Sequence, residues 1–299
     1  MLMRPVILGL LISAGSALGQ ALEPRFYSNA PTGLNFVLGG YTYSTGGLST
    51  DPALNVTDAK LKVHAPVAAY ARSGGLFGKS AKFDVAIPYV FLSGTGKVNG
   101  APAERKVDGL GDPQFRASIN WIGAPALSLQ EFKDYQQNFI VGTSLKVTAP
   151  FGHYDTEKVV NIGQNRWSFT PEIGASKTFG PLLVELAGAV TVFTDNNDFV
   201  QGRREQDPIY ALQGHLIYTF KRGIWVSVNA TRYQGGRTTV NGVENADLLQ
   251  NMRLGMTVAV PVNKRNSIKV YSSAGVSTRT GTDFNTYGAA WQYRWGGGL

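Results

Sequence analysis

Large apolar side chains alternate with small or polar ones along much of this chain. In residues 83–91 the odd positions are all large and apolar, and most even positions are small, charged or proline. Residues 114–121 separate a polar set from an apolar set in the same way. A period of two is typical of a β-strand whose two faces meet different surroundings. The pattern therefore predicts a protein built of strands.

The same alternation runs through residues 61–70. Val63, Ala65, Val67 and Ala69 fall on one face, and Lys62, His64 and Tyr70 fall on the other. If this strand crosses a membrane as part of a barrel, its polar face is expected to point into the lumen and its apolar face toward lipid.

Twelve segments carry this pattern. Most are close to the roughly 9–11 residues that a tilted strand needs to cross a bilayer. An even number of strands returns both ends of the chain to the periplasmic side. The predicted fold class is an all-β transmembrane antiparallel barrel with strands near 34–43, 61–71, 82–92, 114–122, 139–149, 167–176, 182–193, 209–220, 224–231, 251–260, 267–276 and 286–295.

The connections between these strands differ in length at the two ends of the predicted barrel. Expected periplasmic turns are short, at residues 177–181, 221–223 and 262–266. Expected extracellular loops are long and rich in Gly, Asn, Asp and Thr, at residues 44–60, 93–113, 150–166, 194–208 and 232–250. The connection 123–138 breaks this rule, and its residues 127–135 are expected to form a helical turn or two.

The first 21 residues predict a signal peptide. Arg4 precedes an apolar run from Pro5 to Ala14, which is far shorter than the roughly 20 residues of a membrane-spanning helix. Cleavage after Gly19 or after Ala21 fits the small residues that follow, so the mature chain is expected to begin at Gln20 or Leu22. No later segment offers a longer apolar run, so the mature chain is not expected to cross a membrane by helices.

Residues 22–33 form a separate N-terminal segment before the barrel, which spans 34–299. The part from Leu22 to Thr32 carries Arg25, Phe26 and Tyr27 and is long enough to fold into the lumen as a partial plug. The alternative is a loose periplasmic tail.

Charge on the predicted inner face favours basic residues. The alternation assigns eight basic side chains to the lumen, namely Lys62, Arg72, Lys82, Arg116, Lys146, Arg253, Lys269 and Arg294. Three acidic side chains share that face, namely Asp84, Glu172 and Glu185. Rings of Lys and Arg in a narrow pore favour anions, so anionic solutes are expected to pass. The alternative is that these charges pair across strands and fill the interior.

Composition narrows the function classes further. Cysteine is absent, which excludes disulfides and thiolate chemistry. The sequence pI is about 9.6, but the basic residues are scattered, so a nucleic-acid partner is not expected. The chain has no Gly-x-Ser-x-Gly or His-Glu-x-x-His motif and only three histidines, His64, His153 and His215. The sequence therefore predicts no enzymatic activity, no cofactor and no metal site.

The remaining classes are a channel, a structural or assembly barrel with a filled lumen and, in third place, a lipid-modifying barrel enzyme. Barrels of about 8 strands are filled by side chains, and those of about 16 enclose open aqueous channels. Twelve strands therefore predict a narrow lumen, which suits a channel for small molecules.

Several short motifs together resemble one outer-membrane family. They are Glu23-Pro24-Arg25, Tyr27 to Pro31, Gly109 to Pro113, Lys146 to Asp155, Asn161 to Gly163, Asn165 to Trp167 and Trp291 to Gly298. The chain resembles the family named for the meta-pathway of phenol degradation. The resemblance implies a transporter of small, often aromatic, compounds.

A barrel of this kind implies a location and a set of partners. The location is the outer membrane of a Gram-negative bacterium. The expected partners are outer-membrane lipid and lipopolysaccharide, periplasmic chaperones, the barrel-assembly machinery and a small-molecule substrate. The last strand carries three aromatics on one face, Trp291, Tyr293 and Trp295, as an interfacial girdle does, but Gly296 to Leu299 follow it.

Overall fold

The computed structural model describes residues 12–13, 23–49, 56–98, 100–200 and 202–299. Apart from Ile12–Ser13, the predicted signal peptide lies outside the described residues, as do both candidate mature N-termini, Gln20 and Leu22. Ile12–Ser13 forms a two-residue strand that pairs in parallel with Val160–Asn161.

The chain folds into a closed ring of twelve antiparallel strands. In chain order they are β1 Leu34–Ser49, β2 Val56–Leu76, β3 Lys79–Val98, β4 in two parts (Ala101–Leu110 and Gln114–Ile122), β5 Phe139–Thr148, β6 Ser168–Phe179, β7 Leu182–Phe193, β8 Ile209–Thr219, β9 Trp225–Gly235, β10 Leu249–Pro261, β11 Asn266–Ser277 and β12 Gly281–Gly296. Each strand pairs with the next, and β12 pairs with β1 to close the ring. The predicted twelve-stranded barrel is confirmed.

Strand β4 is broken at residues 111–113. Its first part pairs with residues 89–98 of β3, and its second part pairs with residues 81–86 of the same strand. The two parts therefore occupy one position in the ring. Pro113 has no N–H to continue the ladder. The backbone N–H groups of Gly152 and Gln164 donate to the Asp112 carboxylate. Burial raises the pKa of Asp112, and these two hydrogen bonds partly offset the effect.

Several strands extend well beyond the predicted bounds. The expected loop 44–60 is largely strand, because β1 continues to Ser49 and β2 begins at Val56. The expected loop 93–113 contains the end of β3 and the first part of β4, paired as a hairpin. Hairpins that project into water need no apolar face, so the alternation that revealed the membrane-spanning parts is missing there.

The expected loops 194–208 and 232–250 form a small sheet at the same end. Its four strands are Asn196–Phe199, Gly202–Gln206, Thr238–Val240 and Val243–Glu244. Short 3-10 turns occur at Glu131–Lys133 in the connection 123–138 and at Lys221–Gly223 in a periplasmic turn. Neither of these described helical turns is long enough to cross a membrane.

The outer face of the barrel is apolar, as the alternation predicts. One row across four strands joins Val85, Phe115, Val147 and Phe169. Near the periplasmic end, Trp291, Tyr293 and Trp295 stack with ring centroids 6.2 and 5.8 Å apart. Aromatic rings at this level form the girdle of a membrane barrel.

On β2 the predicted faces are wrong. Lys62, His64 and Arg72 pair across the sheet with Thr45, Tyr43 and Asn35 of β1 on the outer face. The hydroxyl of Tyr41, a side chain that is 47% exposed, lies 2.5 Å from His64 Nδ1.

The inner face of β2 is apolar instead, which explains the error. Leu61, Val63 and Ala65 are buried in a cluster with Val90, Leu92, Ile162 and Phe284 inside the barrel. Because the lumen is apolar here, polarity alone assigned the strand to the wrong side. Lys62 and Arg72 lie toward opposite ends of β2, where long basic side chains reach the interface.

The facing of β3 predicts a difference between adjacent residues. Val85→Arg places a charge toward lipid and should lower the free energy of unfolding by about 2–4 kcal/mol if it lies near the bilayer midplane. Ala86→Arg, which points into a cavity of the lumen, should cost much less. Urea titration of both variants in lipid vesicles measures the difference, and equal losses would contradict the assigned faces.

Candidate functional site

The N-terminal segment, residues 23–33, lies inside the lumen. The Arg25 N–H donates to Glu185 Oε2 at 2.5 Å, and Lys82 Nζ donates to the Phe26 carbonyl at 2.7 Å. The Tyr27 hydroxyl donates to Glu172 Oε1 at 2.7 Å. These bonds join the segment to three strands, β3, β6 and β7.

Two glycines make room for Tyr27. Gly142 of β5 and Gly174 of β6 are direct cross-strand partners. A Cβ atom at either position would overlap the Tyr27 ring, which is only 2% exposed. The bare backbone of the paired glycines therefore forms a slot in the wall. The Ser176 hydroxyl donates to the Tyr27 carbonyl at 2.8 Å beside it.

The connection 123–138 holds the segment at the periplasmic end. The Thr32 N–H donates to the Leu127 carbonyl at 2.8 Å, and Asn29 Nδ2 donates to the Pro125 carbonyl at 3.1 Å. The Asn29 N–H donates to Gln137 Oε1 at 3.2 Å. This connection is longer than the other periplasmic turns because it supplies these partners.

Charged groups meet where the segment crosses the lumen. Arg116 binds Glu23 at 2.6 Å and Asp84 at 3.1 Å. Its guanidinium also lies 4.1 Å from the centre of the Phe26 ring, and Lys82 Nζ lies 5.4 Å from that ring. Such contacts combine charge pairing with cation–π attraction.

Nine of the predicted lumen residues lie on the inner face, and Lys62, His64 and Arg72 do not. The nine are Lys82, Asp84, Arg116, Lys146, Glu172, Glu185, Arg253, Lys269 and Arg294. They do not form one cluster. Arg253 donates to the Phe284 carbonyl toward the extracellular end, and Arg294 donates to the Lys264 carbonyl at the periplasmic rim.

A neutral ladder completes the inner wall. His215 Nδ1 lies 2.8 Å from Asn229 Oδ1, and Asn229 Nδ2 donates to the Thr257 hydroxyl at 3.3 Å. The described residues contain no group of three or more His, Asp or Glu side chains arranged to hold a metal ion.

The segment separates two cavities in the lumen. The larger has a volume of about 630 Å³ and lies toward the periplasm, next to Asn29 and Ala30. The smaller has a volume of about 70 Å³ and reaches Thr191 and Tyr233 on the other side. Four side chains line both cavities. Glu23 and Phe26 belong to the segment, which forms the partition between the cavities, and Arg116 and Lys146 belong to the barrel wall beside it.

The wall of the larger cavity has two chemically different sides. Strands β1 and β2 contribute an apolar side with Phe36, Leu38, Val67 and Ala69. Basic side chains flank it, with Lys82, Arg116 and Lys146 from β3, β4 and β5 on one flank and Lys269 from β11 on the other. Trp225 and Tyr271 add aromatic rings, and the Arg25 guanidinium lies 5.8 Å from the Trp225 ring centre.

Loops cover the extracellular end. Buried Arg166 and Arg204 lie there against the rings of Phe193 and Phe199, at 4.3 and 5.9 Å. Burial lowers the pKa of Arg166 to about 10 and lowers that of Arg204 well below its ordinary value.

Sequence reasoning missed Glu23 as a functional residue. It lies outside the strands, so no alternation assigns it a face. Its only signal is its place in the Glu23-Pro24-Arg25 motif at the start of the segment. Sequence reasoning also missed Gly142 and Gly174, because the sequence alone does not show which atoms a Cβ at a glycine position would contact.

A closed antiparallel barrel with an apolar outer band, aromatic girdle, short turns at one end and long loops at the other is a bacterial outer-membrane β-barrel. Residues 27–293 match the model of the family described as "Putative MetA-pathway of phenol degradation". The chain belongs to this family, as the resemblance of its motifs implies.

Solved structures with the same fold agree with this class. The crystal structure of an outer membrane channel from Pseudomonas putida F1 matches with a TM-score of 0.79 and 20% identity, over 92% of this chain and 100% of that one. The transport unit of the autotransporter AIDA-I from Escherichia coli matches with a TM-score of 0.52 and 6% identity, over 92% and 93%. No curated protein matches the sequence.

The glycine slot gives a direct test of how the segment is held. Gly174→Ala should expel the Tyr27 ring and release the segment, so that trypsin cuts at Arg25 in the folded barrel. Gly188→Ala is the matched control, because a Cβ atom there meets nothing within 4 Å. Combining Gly174→Ala with Tyr27→Ala removes the clash. Unchanged protection of Arg25 in Gly174→Ala would refute the slot.

Proposed function

We propose that this protein is an outer-membrane channel for small molecules that prefers anions. The observation that carries the proposal is the 630 Å³ cavity beside a partition that is not part of the barrel wall. Because the segment is fixed by hydrogen bonds and ion pairs, it can move without breaking the strand ladder. Movement of the segment can therefore open a passage while the twelve strands of the wall stay in place.

The charges of the inner face support the preference for anions. Six of the nine predicted lumen residues that lie on this face are basic, and the segment adds Glu23 and Arg25. In a narrow lumen with low-dielectric walls, an excess of basic groups concentrates anions. The apolar and aromatic side of the cavity suits solutes with an apolar body, including the aromatic compounds suggested by the family's description.

A structural barrel with a filled lumen is the second candidate. It is favoured by the pairing of Arg116 with two carboxylates and by the hydrogen bonds that tie the segment to the wall. A catalytic role has less support, because His64 lies on the outer face, His153 lies in a loop and His215 bonds to Asn229.

Conductance separates the channel from the filled barrel. Removing residues 23–32 should raise single-channel conductance in planar bilayers while leaving the barrel folded, because those residues form the partition. Tyr27→Ala should produce more frequent openings for the same reason. The filled barrel predicts instead that neither the intact nor the shortened protein conducts.

Ion selectivity tests the charge argument. Reversal potentials across a KCl gradient should show chloride preference, and Lys146→Glu with Lys269→Glu should weaken or reverse it. The control is Lys62→Glu with Lys106→Glu, which makes the same charge change in one outer-face row across β2, β3 and β4. Selectivity for potassium in the unmodified protein, or an equal response to the two pairs, would contradict the proposal.

A further inference from the structure

The most informative feature of the lumen is the surroundings of Glu23. Its carboxylate binds Arg116 at 2.6 Å and interacts electrostatically with Lys146 and Lys269. Lys146 is on β5 and Lys269 is on β11, which is six strands away around a ring of twelve. Glu23 therefore interacts with basic groups of opposite walls, Arg116 and Lys146 on one and Lys269 on the other; these three side chains are called the basic ring.

Two members of this ring have N–H donors that form no hydrogen bond with the described residues. Neither Lys146 nor Lys269 forms a hydrogen bond or an ion pair with the described residues, and Lys269 has only a ring contact, with Tyr271 at 5.9 Å. Arg116 divides its donors between Glu23 and Asp84. One carboxylate therefore occupies a site that has donors for more, and an ammonium group that donates no hydrogen bond gains most from a solute carboxylate.

The space beside this ring accepts an organic molecule. All three basic side chains, and Glu23 itself, line the 630 Å³ cavity. Strands β1 and β2, which lie between β11 and β4 in the ring, add an apolar side with Phe36, Leu38, Val67 and Ala69. A ligand whose carboxylate meets the ring can place an apolar body against β1 and β2. A bare inorganic anion gains nothing from that side.

We propose that the ring of Arg116, Lys146 and Lys269 is a binding site for small organic carboxylates, and that Glu23 is a resident carboxylate which the solute replaces. The inference rests on the proposed function, since it describes how a solute passes the partition. A bound solute takes over the contacts that hold Glu23, so the segment loses one of its anchors when a solute arrives. Binding and opening are thereby coupled.

Trp225 reports binding in the full-length barrel. It lies in the cavity beneath Arg25, whereas the four other tryptophans lie on the outer face and are 37–47% exposed, namely Trp121, Trp167, Trp291 and Trp295. Subtracting the titration of Trp225→Phe isolates its emission. Benzoate is the probe, and benzamide is a neutral probe of nearly the same shape.

Benzoate should change Trp225 emission saturably, and Glu23→Gln should tighten its apparent affinity about tenfold because the competing carboxylate is gone. Glu23→Asp keeps the charge and should stay close to the unmodified protein. Lys146→Gln with Lys269→Gln should weaken binding about tenfold, whereas Lys62→Gln on the outer face should leave it unchanged. Heat-modifiable mobility in gels verifies that each variant is folded.

Two results would overturn the site. They are unchanged or weaker benzoate binding in folded Glu23→Gln, and equal binding of benzamide and benzoate. The outcome is independent of conductance. Conductance without Glu23-dependent benzoate binding would support the proposed channel and contradict this site. Glu23-dependent benzoate binding without conductance would support the site and contradict the channel.

Discussion

Closure of the hydrogen-bond ladder is the constraint on which the rest of this structure depends. Hydrocarbon offers no partner to a backbone N–H or C=O, so an open sheet edge cannot lie in a bilayer. The pairing of β12 with β1 over sixteen register positions removes that edge. With the ladder satisfied by the strands alone, the lumen side chains are free to vary, and the chain uses that freedom to bind its own N-terminal segment.

The membrane-spanning strands were predictable because lipid imposes a strict requirement on every second residue. Phe83, Val85 and Ile87 follow the alternation because their side chains face hydrocarbon. The parts of β1 to β4 that project into water were missed, since no such requirement acts on them. The faces of β2 were reversed for a related reason: Val63 and Ala65 pack in an apolar cluster within the lumen, so polarity did not distinguish inside from outside.

The inner site was less accessible to sequence reasoning than the fold. Period-two alternation placed Lys82, Arg116 and Lys146 on the inner face, but it contains no information on what lies across the lumen. The position of Glu23 depends on contacts between residues far apart in the chain, and the slot at Gly142 and Gly174 depends on the absence of side chains. Both are properties of the closed ring rather than of any single strand.

The anchoring of the N-terminal segment has a consequence for the order of assembly. Tyr27 and Arg25 are synthesised before every barrel strand, yet their partners Glu172 and Glu185 lie 145 and 160 residues later in the chain. Contacts of such long range form late, because many residues must be ordered first. Tyr27 can therefore reach its slot only once β5 and β6 have formed, whereas the contacts of the segment with Lys82 and Arg116 need only β3 and β4. A segment that precedes every barrel strand in the chain is thus fixed in place only after strands that follow it by more than a hundred residues.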